Sequence, residues 1–410
     1  MNPELLIYLF LSGISFILGV FYFLYPKKVL PVFFFFGLVI PTSNQFMPYT
    51  SFSGVYFYDF FFLILTLYYV LVLINYKAIF KKNLVNILLG LFILIFYSLL
   101  AVNNSVSIDK YLFRDLRPFL TLLYAFVIVS VLRERIISFN ALMNILIFVF
   151  IAKILFFFLM FFGFSFSDRY YQENIFRYFD AVTFIACLLL IYFVIIKENI
   201  SKLKLNFVLI LALIIVLISN LRILIFALAL IYFVFSKRNL ITKGLFSFVF
   251  LSFFLLYSYF MSANRVIDTN SSELVALQIA SRFAPAIEKI DQMKSHEYIY
   301  GLGLGTYFEI PWFKYRGLDT KLNTIDSTYL SLFVKYGLFS IVIIVLFFRL
   351  LLFNIREKEK KRPYIIFYLI VFITLSSLYQ SGTVFHFLFL NLLFLSINNE
   401  STSRSIPITS

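Results

Sequence analysis

The chain of 410 residues is poor in the residue types that build most soluble sites. Its single cysteine, Cys187, lies inside an apolar run, which excludes a disulfide within the chain and a thiolate metal cage. The two histidines, His296 and His386, have no partner visible in sequence; this argues against a histidine zinc site and favours surface or packing roles. Charge is scarce too: Asp, Glu, Lys and Arg form 13% of the chain, against roughly 25% in an ordinary soluble domain. What replaces them is 62% hydrophobic and 21% aromatic, a balance that predicts an integral membrane protein. The remaining charge is uneven, with 35 Lys and Arg against 20 Asp and Glu. Nucleic acid is not an expected partner, because the basic residues sit singly or in short clusters between apolar runs instead of on one polar face.

A helix needs about 20 mainly apolar residues to cross the hydrocarbon core. Such runs fall at 5–24, 29–41, 55–75, 83–102, 118–132, 138–162, 179–196, 206–219, 222–236, 245–261, 327–353, 363–380 and 384–397, about thirteen spans, and predict an all-α, polytopic transmembrane helix bundle. The start, Met1-Asn2-Pro3-Glu4, is no basic leader and no small-residue cleavage site follows, so the first run is expected to stay in the mature chain. Basic clusters (Lys27 and Lys28; Lys77, Lys81 and Lys82; Arg133 and Arg135; Lys197, Lys202 and Lys204; Lys237, Arg238 and Lys243; Arg356 to Arg362) occupy every second loop, which places those loops in the cytoplasm. The domain organisation is then 1–261, ten transmembrane helices; 262–325, one long external loop; and 326–410, three further transmembrane helices and a cytoplasmic tail. The long loop is charge-balanced, and Leu277, Ile279, Ala280, Phe283, Ile287 and Ile290 predict an amphipathic helix within it, bent at Pro285. Gly301, Gly303, Gly305, Pro311 and Gly317 predict turns; Gly301-Leu302-Gly303-Leu304-Gly305 lacks the Lys-Ser or Lys-Thr and the strand-to-helix context of a nucleotide loop.

Short external loops are normally depleted of positive charge, yet Arg114, Arg117, Arg169, Arg177 and Arg222 lie in or beside them, with Lys110 their only lysine. Guanidinium offers a rigid fork of donors for phosphate or carboxylate, so the set points to an anionic ligand such as a lipid pyrophosphate. The plainer alternatives are snorkelling to headgroups or pairing with Asp115, Asp168 or Asp180. Arg222 stands out because Ser219-Asn220-Leu221-Arg222 joins two apolar runs with almost no loop. Lys153 and Lys335 fall inside predicted spans and call for an internal ion pair or a ligand role. Asp326 stands where the long loop re-enters the apolar region, as a helix N-cap, as a base toward a sugar hydroxyl, or as both. No Asp-x-Asp pair or carboxylate-histidine cluster marks a metal site on the external side.

Four places resemble the O-antigen polymerase and ligase family of polytopic membrane glycosyltransferases, the Wzy-type polymerases in particular. They are Ser281-Arg282 leading through a helix to Tyr300-Gly301-Leu302-Gly303-Leu304-Gly305-Thr306-Tyr307-Phe308; Asp326-Ser327-Thr328-Tyr329-Leu330 followed by Lys335-Tyr336-Gly337-Leu338; Arg222 after Ser219; and the segment Arg169 to Asp180. The ligases usually carry His-Asn where this chain has Asp326-Ser327, a departure that favours polymerase over ligase. The resemblance implies a fold related to the GT-C class and an inverting, metal-independent glycosyl transfer on the outer face of the bacterial cytoplasmic membrane, without a cofactor. The donor would be a growing glycan on undecaprenyl pyrophosphate and the acceptor a lipid-linked repeat unit, with membrane lipids and a chain-length regulator as further partners. It implies Asp326 and Arg222 as catalytic residues; Arg177 and Arg282 would hold the pyrophosphate, and Arg169, Arg316 and Tyr329 would orient the glycans. An O-antigen ligase and a lipid-linked oligosaccharide flippase are the alternatives.

Overall fold

An apolar run that leaves water must satisfy its own backbone groups, and an α-helix does so within one segment. The computed structural model describes residues 3–42, 46–52, 54–75, 95–100, 114–132, 137–162, 178–195, 202–245, 247–252, 256, 272–310, 320–380 and 382–404. Most of it is helical, as the composition predicts. The main helices are Pro3–Tyr22, Pro26–Val39, Asp59–Asn75, Arg117–Val131, Phe139–Phe161, Ala181–Ile195, Lys202–Ile218, Arg222–Phe235, Ser272–Asp291, Thr328–Tyr336, Phe339–Leu351, Lys358–Thr374 and Thr383–Arg404. Among the described residues, strand is confined to two antiparallel pairs of two residues each, Ser51–Phe52 with Val55–Tyr56 and Phe308–Glu309 with Lys321–Leu322.

Among the described residues, two helices, Pro3–Tyr22 and Phe139–Met160, are long and apolar enough by themselves to cross a membrane. Other apolar helices are shorter, among them Arg117–Val131, Arg222–Phe235 and Phe339–Leu351. Large apolar side chains face outward on many of these helices, including Phe10, Leu67, Phe148, Phe226 and Val345, as expected of a membrane-associated chain. Most of the predicted spans 83–102 and 245–261 lies outside the described residues.

One apolar run does not behave as a single span. The stretch 327–353 is broken at Gly337, which takes the left-handed conformation (φ +54°) and divides Thr328–Tyr336 from Phe339–Leu351. The two pieces have different surroundings. No residue of Thr328–Tyr336 is exposed, whereas Leu338, Phe339, Ile341, Val342 and Val345 are. The break opens the last turn of the first helix to hydrogen bonds from elsewhere, and the chain uses them.

The main core is aromatic. Phe33 and Phe61 stack at 3.5 Å, Phe62 stacks on Tyr124 at 5.3 Å, and Phe385 lies against Phe33, Tyr58 and Phe62. Gly37 lets the Pro26–Val39 helix approach this cluster, since a Cβ there would lie 2.3 Å from Cζ of Phe385. Aromatic pairs of this geometry add about 0.5–1.5 kcal/mol each beyond area burial.

Candidate functional site

Segment 272–325 carries its own small core. Ala286, Phe308, Ile310 and Ile325 pack on Val334 of the Thr328–Tyr336 helix, with Ile290, Leu302, Leu322 and Leu330 around them. The amphipathic helix is therefore present, continuous through Pro285; Ile290 points in as the stripe predicts, but so does Ala286, which lies outside the stripe, while Ile287 is half exposed. Side chains of Leu277, Ile279 and Ala280 lie outside the described residues.

The glycine-rich turn is a docking element. Gly301 (φ +78°) sits so close to the end of Thr328–Tyr336 that a Cβ would come within 2.2–2.3 Å of the Lys335 carbonyl group and the Tyr336 nitrogen. Gly337 is tight in return, since its Cβ would meet the Tyr298 and Ile299 backbone at 2.6 Å. Between them, Leu302 N–H donates to the Val334 carbonyl (2.8 Å), Gly303 N–H to the Lys335 carbonyl (3.0 Å) and Leu338 N–H to the Tyr298 carbonyl (3.0 Å). These donors satisfy carbonyls that a helix end otherwise leaves to water.

At the opposite end of Thr328–Tyr336, Arg282 and Asp326 come together. Arg282 Nε lies 3.8 Å from Asp326 Oδ2, with the side chains 48% and 61% exposed. Asp326 does not cap the helix; Ser327 is the N-cap and accepts from Leu330 N–H at 3.4 Å. The carboxylate thus keeps its lone pairs turned to solvent and beside a guanidinium. One turn on, Tyr329 donates its hydroxyl to the Leu369 carbonyl at 3.1 Å and stands edge-on to Phe372. On the helix of Arg282, Lys289 lies 5.5 Å from the Tyr307 ring, and Lys321 approaches the same ring at 4.9 Å. Burial pulls Lys289 below the usual lysine pKa, against the opposing pull of Glu288 and Glu309.

Other charges are consumed in buried pairs. Arg117, one of the loop arginines, donates from Nη1 to both oxygens of Asp59 (2.8 and 2.7 Å) and from Nη2 to the Tyr58 hydroxyl (2.8 Å). It is a structural tie, not a free anion ligand. Lys153 pairs with Asp180 at 2.7 Å, and the Tyr178 hydroxyl lies 2.9 Å from both. Lys335 pairs with Asp115, both side chains fully buried. Asp115 and Asp180 therefore serve lysines, not the neighbouring arginines considered as their partners. His386 is also buried, 3.1 Å from the Tyr368 hydroxyl and packed on Phe184.

Arg222 opens the Arg222–Phe235 helix as an exposed residue. The connection before it is tight because Asn220 takes a left-handed conformation (φ +48°), which asparagine tolerates. This helix and Thr328–Tyr336 both pack on Lys358–Thr374. Arg169, Arg177 and Arg316 lie outside the described residues. Of the expected site, then, Arg282, Asp326 and Tyr329 share one end of one helix, and Arg222 begins a neighbour of the same supporting helix. Sequence reading missed Asp59, whose signal was a carboxylate opening one apolar run while an arginine opens another. Among the described residues, no three His, Cys, Asp or Glu side chains gather as a metal ligand set would.

An exposed carboxylate next to an exposed guanidinium can accept a proton from an incoming hydroxyl and hold an anion within one substrate's reach. Residues 28–406 match the model of DUF6369, a family of unknown function, and the chain belongs to that family. No curated protein and no solved structure matches the chain.

Proposed function

We propose that this DUF6369 member is a multi-pass membrane glycosyltransferase that polymerises polysaccharide, O antigen or capsule, on the outer face of the bacterial cytoplasmic membrane. The observation that carries the reading is the Arg282–Asp326 pair, a base with no capping duty beside an anion-binding group at the end of an apolar bundle. In the reaction, Asp326 takes the hydroxyl proton of a lipid-linked repeat unit as its oxygen attacks the anomeric carbon of the donor glycan. A new C–O bond forms with inversion, the bond from that carbon to the pyrophosphate oxygen breaks, and the electron pair leaves with undecaprenyl pyrophosphate. Arg282, with Arg222 and Arg177, stabilises the charge that develops there. Tyr329, Arg169 and Arg316 orient the two saccharides.

The thirteen-span topology and the orientation from the basic clusters belong to the same proposal. Under it, the pairs Asp59–Arg117, Asp180–Lys153 and Asp115–Lys335 all fall in the outer half of the membrane. A flippase needs polar groups along both halves of its path, and among the described residues the buried ion pairs cluster at one side, which favours chemistry at the outer face over transport. The ligase alternative differs only in acceptor.

Reconstitution with lipid-linked repeat units tests the proposal. Longer lipid-linked glycan in the absence of added metal is the expected product. Movement of the lipid across the bilayer without bond formation refutes the enzymatic reading. Arg222→Lys keeps charge but loses the fork, and Asp326→Asn keeps shape but loses the base. If both leave chain extension intact in a stably inserted protein, the site assignment is wrong.

A further inference from the structure

We infer that Asp115 and Lys335 are positioning residues that hold the helix bearing Arg282 beside Asp326. The inference rests on the proposed reaction only for its catalytic consequence; the geometry stands by itself. The Arg282–Asp326 contact is long and half exposed, and such pairs contribute too little to fix their own geometry. Something else must set the approach of the two groups, which lie on separate parts of the chain.

The buried pair is suited to that task. One oxygen of Asp115 receives the Lys335 ammonium, and the other accepts Gly305 N–H at 2.8 Å. The Asp115 carbonyl accepts the Tyr336 hydroxyl at 3.0 Å, and the Tyr336 carbonyl accepts the Tyr97 hydroxyl at 3.1 Å. A single residue thus joins three pieces: the start of the Arg117–Val131 helix, the Gly301–Gly305 turn and the last turn of Thr328–Tyr336. Burying an ion pair is a poor way to gain stability, because a well-packed apolar pair of the same volume often does better. What the pair supplies is register, since a single arrangement gives each carboxylate oxygen its donor and the ammonium its counter-charge. Thr328–Tyr336 has nine residues, about 13 Å of rigid helix, with Lys335 at one end and Asp326 just beyond the other. The segment clamped at the lysine end is the one that carries Arg282 to the aspartate end, across the small core of Ala286, Phe308, Ile325 and Val334.

The test separates geometry from activity. Cysteines replace the reacting pair (R282C with D326C), and a short bifunctional thiol reagent cross-links them in the purified full chain; the native Cys187 is fully buried and does not compete. A control pair, N140C with K204C, reports on a contact between two other helices, Phe139–Phe161 and Lys202–Ile218, where Lys204 Nζ lies 3.4 Å from the Asn140 carbonyl. The double substitution Asp115→Leu with Lys335→Met removes the clamp without leaving an unpaired buried charge. The expected result is a tenfold or greater slowing of the 282–326 cross-link with the control unchanged. A 282–326 rate within twofold of the parent overturns the inference, as does an equal slowing of both pairs. In a chain with native Arg282 and Asp326, the same double substitution lowers kcat for chain extension at least tenfold at constant KM; unchanged kcat likewise overturns it. If the cross-link slows but the parent protein extends no glycan, the positioning role stands and the proposed reaction falls.

Discussion

The reciprocal glycines give the most direct measure of how segment 272–325 is held. Alanine at Gly301 would adopt φ +78°, ψ −176°, a region that side chains avoid at about 1–3 kcal/mol, and its Cβ would overlap backbone atoms of Lys335 and Tyr336 that cannot rotate away. Relief comes only by undocking the turn, which forfeits the hydrogen bonds from Leu302 to Val334 and from Gly303 to Lys335, about 1 kcal/mol each. The parent gives up the same bonds when it opens, so it is the strain and overlap of the docked state, about 3 kcal/mol, that raise the opening equilibrium, about a hundredfold. Gly337→Ala has the same target from the other side, through Tyr298 and Ile299. Trypsin cleavage at the exposed Lys294 in the purified protein reads the opening directly when reclosing outpaces cleavage. Each single variant is expected to raise that cleavage by about two decades. Because both act on one contact, the double variant gains little more than either alone. Cleavage within threefold of the parent, or effects that multiply in the double variant, would refute the interlock.

Two further outcomes follow from the same geometry. Ser327→Ala removes the true cap and costs about 1 kcal/mol in thermal unfolding, whereas Asp326→Asn leaves stability within about 0.5 kcal/mol of the parent; equal losses would show that Asp326 shares the cap. Gly37→Ala drives a methyl group into the Phe385 ring, which is fully buried among Phe33, Tyr58 and Phe62 and cannot swing aside, so overpacking costs about 1–3 kcal/mol; an unchanged melting temperature would mean that the ring has room.

The helices were legible in the sequence wherever an apolar run ends in a polar or turn-forming residue. The run 222–236 is the helix Arg222–Phe235, and 118–132 is Arg117–Val131, because hydropathy alone decides such segments. The break at Gly337 was not legible: a single glycine in an apolar run is usually tolerated, and only the approach of Tyr298 and Ile299 from forty residues earlier makes the bend favourable. Gly301 was readable as a close-packing turn, but what it packs against was not. At the candidate site, Arg282 and Asp326 could be nominated one by one, while their meeting depends on the docking of a whole segment. The partner of Arg117 was hidden for the same reason, since Asp59 lies 58 positions away and no local pattern announces it. Long-range pairing is a property of packing, and a single sequence exposes only its residues.

The three buried ion pairs also impose a timetable on biogenesis. Asp180 emerges 27 residues after Lys153, Arg117 emerges 58 after Asp59, and Lys335 emerges 220 after Asp115. At a synthesis rate of roughly 5–20 residues per second, the first two pairs can close within about 1–12 s, while Asp115 waits for roughly 10–40 s. Throughout that wait its carboxylate has water or a temporary escort for company, and the glycine turn that will rest on it is itself made only 190 residues on. A ribosome stalled before Lys335 would therefore leave a chain in which Arg282 and Asp326 have both been made while the ion pair that would hold their segments together has not.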